Sequence, residues 1–98
     1  GLNRDLGFSK GDRAESVRRV GELSCLFSDS GIITIVSLVS PYRADRDEVR
    51  ERHTQQGIEF MEMFMDVPLD VVQKRDPKVT LAITVYTWLF LVWVYLHP

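Results

Sequence analysis

Residues 32 to 46 read IITIVSLVSPYRADR, and this stretch decides the fold of the chain. It begins as a β-branched, apolar run between Gly31 and Pro41, which is typical of a short strand buried on both faces. After Pro41, charged residues replace the apolar ones. Ser37 and Ser40 therefore lie toward the carboxyl end of a predicted parallel strand, the edge at which open α/β sheets bind ligands.

Helical and strand patterns alternate around this stretch. A capping pattern at Ser9 and Asp12, followed by apolar residues at helical spacing, predicts a helix from Lys10 to Ser30 that Gly31 ends. The later elements are a strand at Ile32 to Ser37, a polar helix at Tyr42 to Gln56, a strand at Glu59 to Val67 and a short helix at Leu69 to Arg75. This order predicts an α/β fold with right-handed crossovers and a parallel sheet. Because two strands do not make a stable sheet, we expect further strands outside these residues.

The second strand contains the run Met63-Phe64-Met65, which breaks the alternation of apolar and polar residues. We therefore expect both of its faces to be covered, with Met61, Met63 and Met65 packed in the core.

Composition excludes several classes of protein. The chain has 98 residues, a net charge of -2 and arginines interleaved with acids, which disfavours nucleic-acid binding. Cys25 is the single cysteine, so this chain alone forms no internal disulfide and no cysteine-based metal site. A reducing, cytoplasmic environment is expected, and no secretory signal pattern is present.

Because the chain begins with Gly1 at a turn before a helix, we expect a fragment or a processed product.

We predict no metal site. His53 on the polar helix and His97 near the end of the chain have no partner at metal-ligand spacing, and both are expected to be exposed.

A series of motifs runs through the first 78 residues. These motifs are GLNRDLGFS at 1 to 9, DR at 12 to 13, VRRVGE at 17 to 22, SLVSPY at 37 to 42, FMDVPL at 64 to 69 and RDPK at 75 to 78. In order and spacing they resemble the adenylylsulfate kinases, which phosphorylate adenosine 5'-phosphosulfate on its 3'-hydroxyl in sulfate assimilation. The resemblance implies a P-loop kinase fold with Mg-ATP as phosphoryl donor, and it is compatible with a homodimer of the full domain.

The resemblance also implies an acceptor site at Phe8, Arg13, Ser16, Val39, Ser40 and Lys78. By the family pattern Phe8 stacks on the adenine and Arg13 binds the anionic groups, with Arg18 or Arg19 as further anion-binding candidates. Position 16 is usually Asn in the family and is the shorter Ser16 here. Val39 and Ser40 match the pair that lines the acceptor pocket, and Ser40 matches a serine that serves as a catalytic phosphoserine in bacterial members. Lys78 matches the basic residue that opens the lid.

Two motifs of the family are not in this chain: its Gly-rich phosphate-binding loop and its Asp-Gly-Asp-Asn acceptor motif. Phosphoryl transfer needs a phosphate cradle, a metal ion and a group that orients the attacking hydroxyl. We therefore predict a partial kinase domain at residues 1 to 78, which does not catalyse phosphoryl transfer alone, and an unrelated tail at residues 79 to 98.

The tail carries no Asp, Glu, Lys or Arg, and residues 79 to 96 reach the lower length limit of a transmembrane helix. We expect it to be helical. Two interpretations stay open: a membrane anchor, with Trp93 and Tyr95 at an interface, or translated non-coding sequence joined to a truncated reading frame. A membrane-anchored, non-catalytic α/β binding protein is the alternative function, and a generic soluble α/β interaction module is the baseline.

Overall fold

The computed structural model describes residues 1–64, 66, 68–75 and 90–94. Its elements are, in chain order, α1 (Lys10–Asp29), β1 (Ile35–Val39), α2 (Arg43–Gln55), β2 (Met61–Phe64), α3 (Leu69–Arg75) and β3 (Phe90–Val94). The strands form one sheet in the order β1-β3-β2, and helices α1 and α2 pack against each other. This arrangement agrees with the predicted α/β class, and α3 has the predicted bounds.

The predicted signals at both ends of α1 are confirmed. The Ser9 hydroxyl accepts a hydrogen bond from the Asp12 amide at 3.1 Å, which caps the first turn. The second bond of the predicted capping pattern, from the Ser9 amide to the Asp12 carboxylate, is not formed. The Asp12 carboxylate accepts from the Gly7 amide at 3.0 Å instead. At the other end Gly31 has a φ of +88°, a conformation that a residue with a side chain rarely adopts. The helix therefore ends where the sequence predicted, to within one residue.

Strand β1 begins three positions later than predicted. The Ile32 amide donates to the Phe27 carbonyl at 3.1 Å, so Ile32 belongs to the end of α1 rather than to the sheet. The Thr34 hydroxyl donates to the Ile32 carbonyl and accepts from Ser28, which holds the connection in a turn. The β-branched run alone did not reveal this, because such residues suit both a strand and an extended connection.

The core lies between α1, α2 and one face of β1. Val17 is fully buried and Val49 is 4% exposed, with Val36, Leu38 and Phe60 packed against them. Because successive side chains of a strand point to opposite faces, Ile35 and Ser37, which alternate with Val36 and Leu38 in β1, face away from the helices.

The prediction that both strands are covered on both faces is wrong. Ile35 is 66% exposed, Met61 is 49% exposed and Met63 is 37% exposed. In the described part of the chain, helices cover one side of the sheet only, so the apolar residues on the other side stay accessible. For the same reason Met61 and Met63 lie on a strand as predicted but do not pack in the core; Met65 lies outside the described residues.

The predicted parallel sheet needs a correction. β1 and β2 run in the same direction, as a crossover through α2 requires, but each pairs antiparallel with β3, which lies between them.

The expectation of a helical tail is wrong at residues 90 to 94, where the tail forms β3. An apolar run rich in β-branched and aromatic residues suits a buried strand as well as a helix, and the free strand edges of β1 and β2 select the strand. Residues 79 to 89 and 95 to 98 lie outside the described residues.

Within the described ranges, no helix combines the length and the apolar character needed to cross a membrane.

His53 is buried, with 2% exposure, so the prediction of an exposed side chain is wrong. Its Nδ1 lies 2.8 Å from the Val49 carbonyl oxygen and 3.3 Å from the Cys25 sulfur. Its Nε2 lies 3.1 Å from the Ser24 hydroxyl oxygen. His53 is one helical turn after Val49 and therefore shares the stripe of α2 that faces α1. Burial lowers the pKa of His53 and raises the pKa of the Cys25 thiol, so both side chains favour their neutral forms.

The lowered pKa of His53 predicts that the chain is less stable in mild acid. As pH falls below about 6.5, the ordinary histidine pKa, the unfolded chain takes up a proton before the folded chain does. The free energy of unfolding should then decrease, by at most about 1.4 kcal/mol per pH unit, until the pH reaches the lowered pKa of the folded state. Urea unfolding at several pH values between 5 and 8 measures this slope.

A substitution assigns the effect to His53. His53→Gln should flatten the dependence between pH 5 and 7. An unchanged slope in His53→Gln would contradict the assignment. The Asp5 and Glu15 carboxylates do not interfere, because the pKa of each is lowered to about 2 and their stabilising effect is lost only in stronger acid.

Candidate functional site

The loop before α1 is held along the helix by polar contacts. Arg19 binds both carboxylate oxygens of Asp5, at 2.6 and 2.9 Å, and donates to the Leu2 carbonyl at 3.0 Å. The Asn3 amide donates to the Ser16 hydroxyl at 2.8 Å. The bond from Arg19 lowers the pKa of Asp5 to about 2, so Asp5 is ionised at neutral pH. These contacts fix the path of the loop that delivers Phe8 to the start of the helix.

Phe8 and Arg13 form an exposed pair at the amino terminus of α1. The Phe8 ring is 88% exposed, and the Arg13 guanidinium carbon lies 5.7 Å from its centroid. Arg13 Nε also donates to the Phe8 carbonyl at 3.0 Å. In the described part of the chain Arg13 has no carboxylate partner, so its positive charge is not compensated. An open aromatic face beside a free guanidinium, at the positive end of a helix dipole, is suited to a nucleobase and an anionic group.

The two other candidate arginines are not free for an anion. Arg18 Nη2 lies 2.6 Å and Arg19 Nε lies 3.0 Å from the Glu15 carboxylate. These hydrogen bonds lower the pKa of Glu15 to about 2, and Arg19 also binds Asp5. Both charges are therefore already paired with carboxylates, and the expectation that Arg18 or Arg19 binds an anion stays a prediction.

Ser40 follows the carboxyl end of β1, between β1 and α2. The Lys10 ammonium is 5.3 Å from the centroid of the Tyr42 ring, which places the first turn of α1 against the segment after Ser40. This contact brings the Phe8 end of α1 and the Ser40 end of β1 to the same side of the fold.

The Ser40 side chain is fully buried, and its hydroxyl has no hydrogen-bond partner among the described residues. A buried hydroxyl without a partner costs about 1 to 3 kcal/mol, so such a group marks a position that a ligand could satisfy. A hydroxyl without solvent access does not reach a phosphoryl donor in this conformation.

The other predicted acceptor residues are placed as follows. Val39 is half-buried beside Ser40, and the Ser16 hydroxyl is bound by Asn3. Lys78 lies outside the described residues.

The groove between α1 and α2 does not coincide with the predicted site. It has a volume of about 190 Å³ and is lined by Gly11, Ala14, Glu15, Arg18, Gly21, Asp45, Glu48, Val49 and Arg52. Arg18 lines it, but Phe8, Arg13, Ser16, Val39 and Ser40 do not. Its arginines and carboxylates compensate one another, so it lacks the net positive charge that a nucleotide sulfate requires.

Sequence reasoning missed the residue that holds the Ser40 backbone. Arg46 Nη1 donates to the Ser40 carbonyl at 3.0 Å, and its Nε donates to the Glu62 carboxylate at 2.8 Å. Arg50 also binds Glu62. The side chains of Arg46 and Glu62 are only 16% and 19% exposed. On a polar helix Arg46 was indistinguishable from its solvated neighbours, and only the proximity of β2 gives it this role.

Removal of the Arg46 side chain should destabilise the chain. Arg46→Ala leaves Glu62 with fewer donors and frees the Ser40 carbonyl, so we expect the free energy of unfolding to fall by about 1 to 3 kcal/mol. Arg43→Ala is the matched control: its side chain is 87% exposed and 3.7 Å from Asp47, and its effect should stay within about 0.5 kcal/mol. Urea unfolding measures both, and equal effects would contradict the role of Arg46.

Comparison with known proteins decides the family. The model of the adenylylsulphate kinase family matches residues 1 to 84. The chain belongs to the adenylylsulphate kinase family. It is 58% identical over 78 residues to the adenylyl-sulfate kinase of Saccharomyces cerevisiae, a match that covers 80% of this chain and 39% of the relative. The chloroplastic adenylyl-sulfate kinase 1 of Arabidopsis thaliana is 60% identical over 78 residues, covering 80% of this chain and 28% of the relative. The adenylyl-sulfate kinase of Lactiplantibacillus plantarum is 53% identical over 78 residues, covering 80% of this chain and 37% of the relative.

The predicted family is confirmed, and with it the kinase-type α/β class of the fold. The chain spans less than half the length of these adenylyl-sulfate kinases. The family match extends six residues past the domain boundary that we placed at residue 78, and that boundary stays a prediction. The roles of the individual acceptor-site residues also stay predictions.

Proposed function

We propose that this chain is the acceptor-binding part of an adenylylsulfate kinase, and that it binds adenosine 5'-phosphosulfate at the exposed Phe8–Arg13 pair. The single observation that carries the proposal is the position of an uncompensated guanidinium beside an 88% exposed aromatic ring. The adenine stacks on Phe8, and the phosphosulfate group pairs with Arg13. Base stacking on an aromatic side chain contributes about 1 to 3 kcal/mol, and a hydrogen bond to a charged group contributes about 1.5 to 3 kcal/mol.

The residues after β1 complete the proposed acceptor site. We propose that Val39 lines the adenine pocket and that the unpartnered Ser40 hydroxyl gives a hydrogen bond when the acceptor is bound. We assign Ser40 this binding role in preference to a phosphoserine intermediate, because the buried hydroxyl has no path to a donor phosphate in this conformation. Ser16 contributes through Asn3, whose side-chain Oδ1 is buried and without a partner among the described residues. Lys78 keeps its proposed place at the start of the lid.

The phosphoryl donor of the whole protein is ATP, with Mg²⁺ as its proposed metal ion. The residues of this chain do not form a site for Mg-ATP. The sequence has no Gly-rich loop followed by Lys and Ser or Thr, which is the phosphate-binding loop that a P-loop kinase requires. No catalytic step is therefore assigned to this chain alone.

We propose a cytoplasmic location and retain a homodimer of the full domain as part of the proposal.

Titration calorimetry with the purified chain tests the function. Adenosine 5'-phosphosulfate should bind at least about tenfold more tightly than adenosine, because only the former carries the anion that pairs with Arg13. Equal affinities, or no binding of the nucleotide sulfate, would contradict the proposed site and favour a non-catalytic binding protein of another specificity.

A second assay separates binding from catalysis. With ATP and Mg²⁺ present, the isolated chain should form no 3'-phosphorylated product. Formation of that product would show that the phosphate cradle is not needed and would overturn the division of the domain proposed above.

A further inference from the structure

The backbone of Ser40 is fixed from two sides. Pro41 follows Ser40 and restricts it to extended conformations. The Ser40 carbonyl accepts a partly buried hydrogen bond at 3.0 Å from Nη1 of Arg46, six positions later in the chain. The Ser40 hydroxyl is fully buried and has no partner among the described residues. It is therefore carried by a backbone with little freedom, and rotation of the serine side chain is what remains to direct it.

Arg46 is itself oriented by β2. Its Nε donates to the Glu62 carboxylate at 2.8 Å, and both side chains are mostly buried. Glu62 also accepts from Arg50, so two guanidinium groups from successive turns of α2 hold its carboxylate. Because a guanidinium is planar and presents its donors in a rigid fork, the bond from Nε to Glu62 fixes the direction of Nη1. Glu62 therefore acts on the Ser40 carbonyl through Arg46.

Arg46 differs from the other described arginines of α2 in burial and in partner. The side chains of Arg43, Arg50 and Arg52 are 44% to 87% exposed, whereas that of Arg46 is 16% exposed. Among the described arginines of this helix, Arg46 alone donates to a backbone carbonyl in addition to a carboxylate. Exposed ion pairs contribute little to stability. Arg46 is thus the arginine of α2 whose loss would reach the end of β1.

We propose that Arg46 and Glu62 are positioning residues for acceptor binding, and that they hold Ser40 so that its hydroxyl can donate to adenosine 5'-phosphosulfate. This role rests on the proposed function, since it requires the Ser40 hydroxyl to bind that ligand. Arg46 and Glu62 act through Ser40 and are not catalytic residues. Their effect is preorganisation, because a donor that is already in place loses less conformational freedom when the ligand binds.

A double-mutant cycle on affinity tests this role in the full chain. Arg46→Ala should weaken the binding of adenosine 5'-phosphosulfate by at least about fivefold. Ser40→Ala, which removes the hydroxyl and keeps the carbonyl, should weaken it by a similar factor. If Arg46 acts through that hydroxyl, the double variant should bind no more weakly than the weaker of the two single variants. Losses that multiply in the double variant would overturn the proposal.

Titration calorimetry measures the four affinities, and each dissociation constant is corrected for the folded fraction obtained from urea unfolding. This correction separates the affinity from the loss of stability that Arg46→Ala also causes. Arg43→Ala is the matched control and should bind within about threefold of the unmodified chain, because its side chain is exposed and its partner is Asp47.

Variants of Glu62 keep the test independent of the folding of Arg46→Ala. Glu62→Ala removes the group that orients Arg46 and should weaken binding by at least about fivefold. Glu62→Gln keeps an acceptor for Arg46 Nε and should recover most of that loss. Unchanged affinity in Glu62→Ala, or no recovery in Glu62→Gln, would overturn the proposal.

The unmodified chain separates the two possible failures. Absence of binding to the unmodified chain would overturn the proposed function and the positioning role with it. Binding by the unmodified chain together with independent effects of Arg46 and Ser40 would overturn the positioning role alone.

Discussion

Replacement of Gly21 by valine should lower the free energy of unfolding by about 2 to 4 kcal/mol, the largest effect on stability expected in this chain. A Cβ atom at Gly21 would lie 2.7 Å from Val49 Cγ2 and 3.1 Å from its Cγ1. Val49 is 4% exposed and β-branched, so its side chain has little freedom to move away. The two helices must therefore separate, and the contact of Val17 with Val49 weakens with them. Urea unfolding followed by circular dichroism measures the change.

The same helix provides a control for Gly21. A Cβ at Gly11 meets no atom within 4 Å, so Gly11→Val should change the free energy of unfolding by less than about 1 kcal/mol. The double variant Gly21→Val with Val49→Ala should recover part of the loss, because it removes the atoms that clash. If the two glycine variants were equally unstable, or if the second change gave no recovery, the close approach of the helices would not be the cause.

Replacement of Arg13 by alanine should weaken the binding of adenosine 5'-phosphosulfate by at least about tenfold, the largest effect expected on function. The variant removes a described guanidinium at this end of α1 that has no carboxylate partner, whereas Arg18 and Arg19 remain paired with Glu15. Their charges do not substitute for it. Because the interaction is electrostatic and exposed, the difference between the unmodified chain and Arg13→Ala should shrink as salt is added.

Two comparisons make the Arg13 result specific. Arg43→Ala removes the same charge from a side chain that is 87% exposed, and it should leave the affinity within about threefold. The unfolding transition of Arg13→Ala should stay close to that of the unmodified chain, because the lost contacts are an exposed bond to the Phe8 carbonyl and the contact with the exposed Phe8 ring. A large loss of stability with unchanged affinity would assign Arg13 a structural role instead.

The local elements of this fold were predictable because their signals are short-range. Ser9 caps α1 through the amide three residues later, and Gly31 ends the helix with a backbone conformation that its neighbours would resist. The family motifs around Phe8 and Arg13 are equally local, and the described structure places these two side chains together. What the motifs could not reveal is that Arg19 is also bound by Asp5 in the preceding loop.

Which side chains of each element are buried or paired was not predictable in the same way. His53 appeared as one polar residue of a polar helix, yet the approach of α1 buries it against Ser24 and Cys25. Arg46 differs from Arg43 only in its surroundings. It contacts Glu62 of β2 and the Ser40 carbonyl, which lie outside its own helix. Burial and pairing of this kind depend on distant segments and leave no periodic trace in the chain.

The sequence by itself determined the helices, their ends, the family and the residue types available for a nucleotide sulfate, because propensity, capping and motif spacing act within a few positions along the chain. The tertiary structure alone decided the rest. It settled that Arg13 bonds to the Phe8 carbonyl, that His53 is buried and favours its neutral form, and that an apolar tail strand lies between β1 and β2. These outcomes follow from the desolvation of side chains and the pairing of strand edges, which arise only when segments far apart in the chain come into contact.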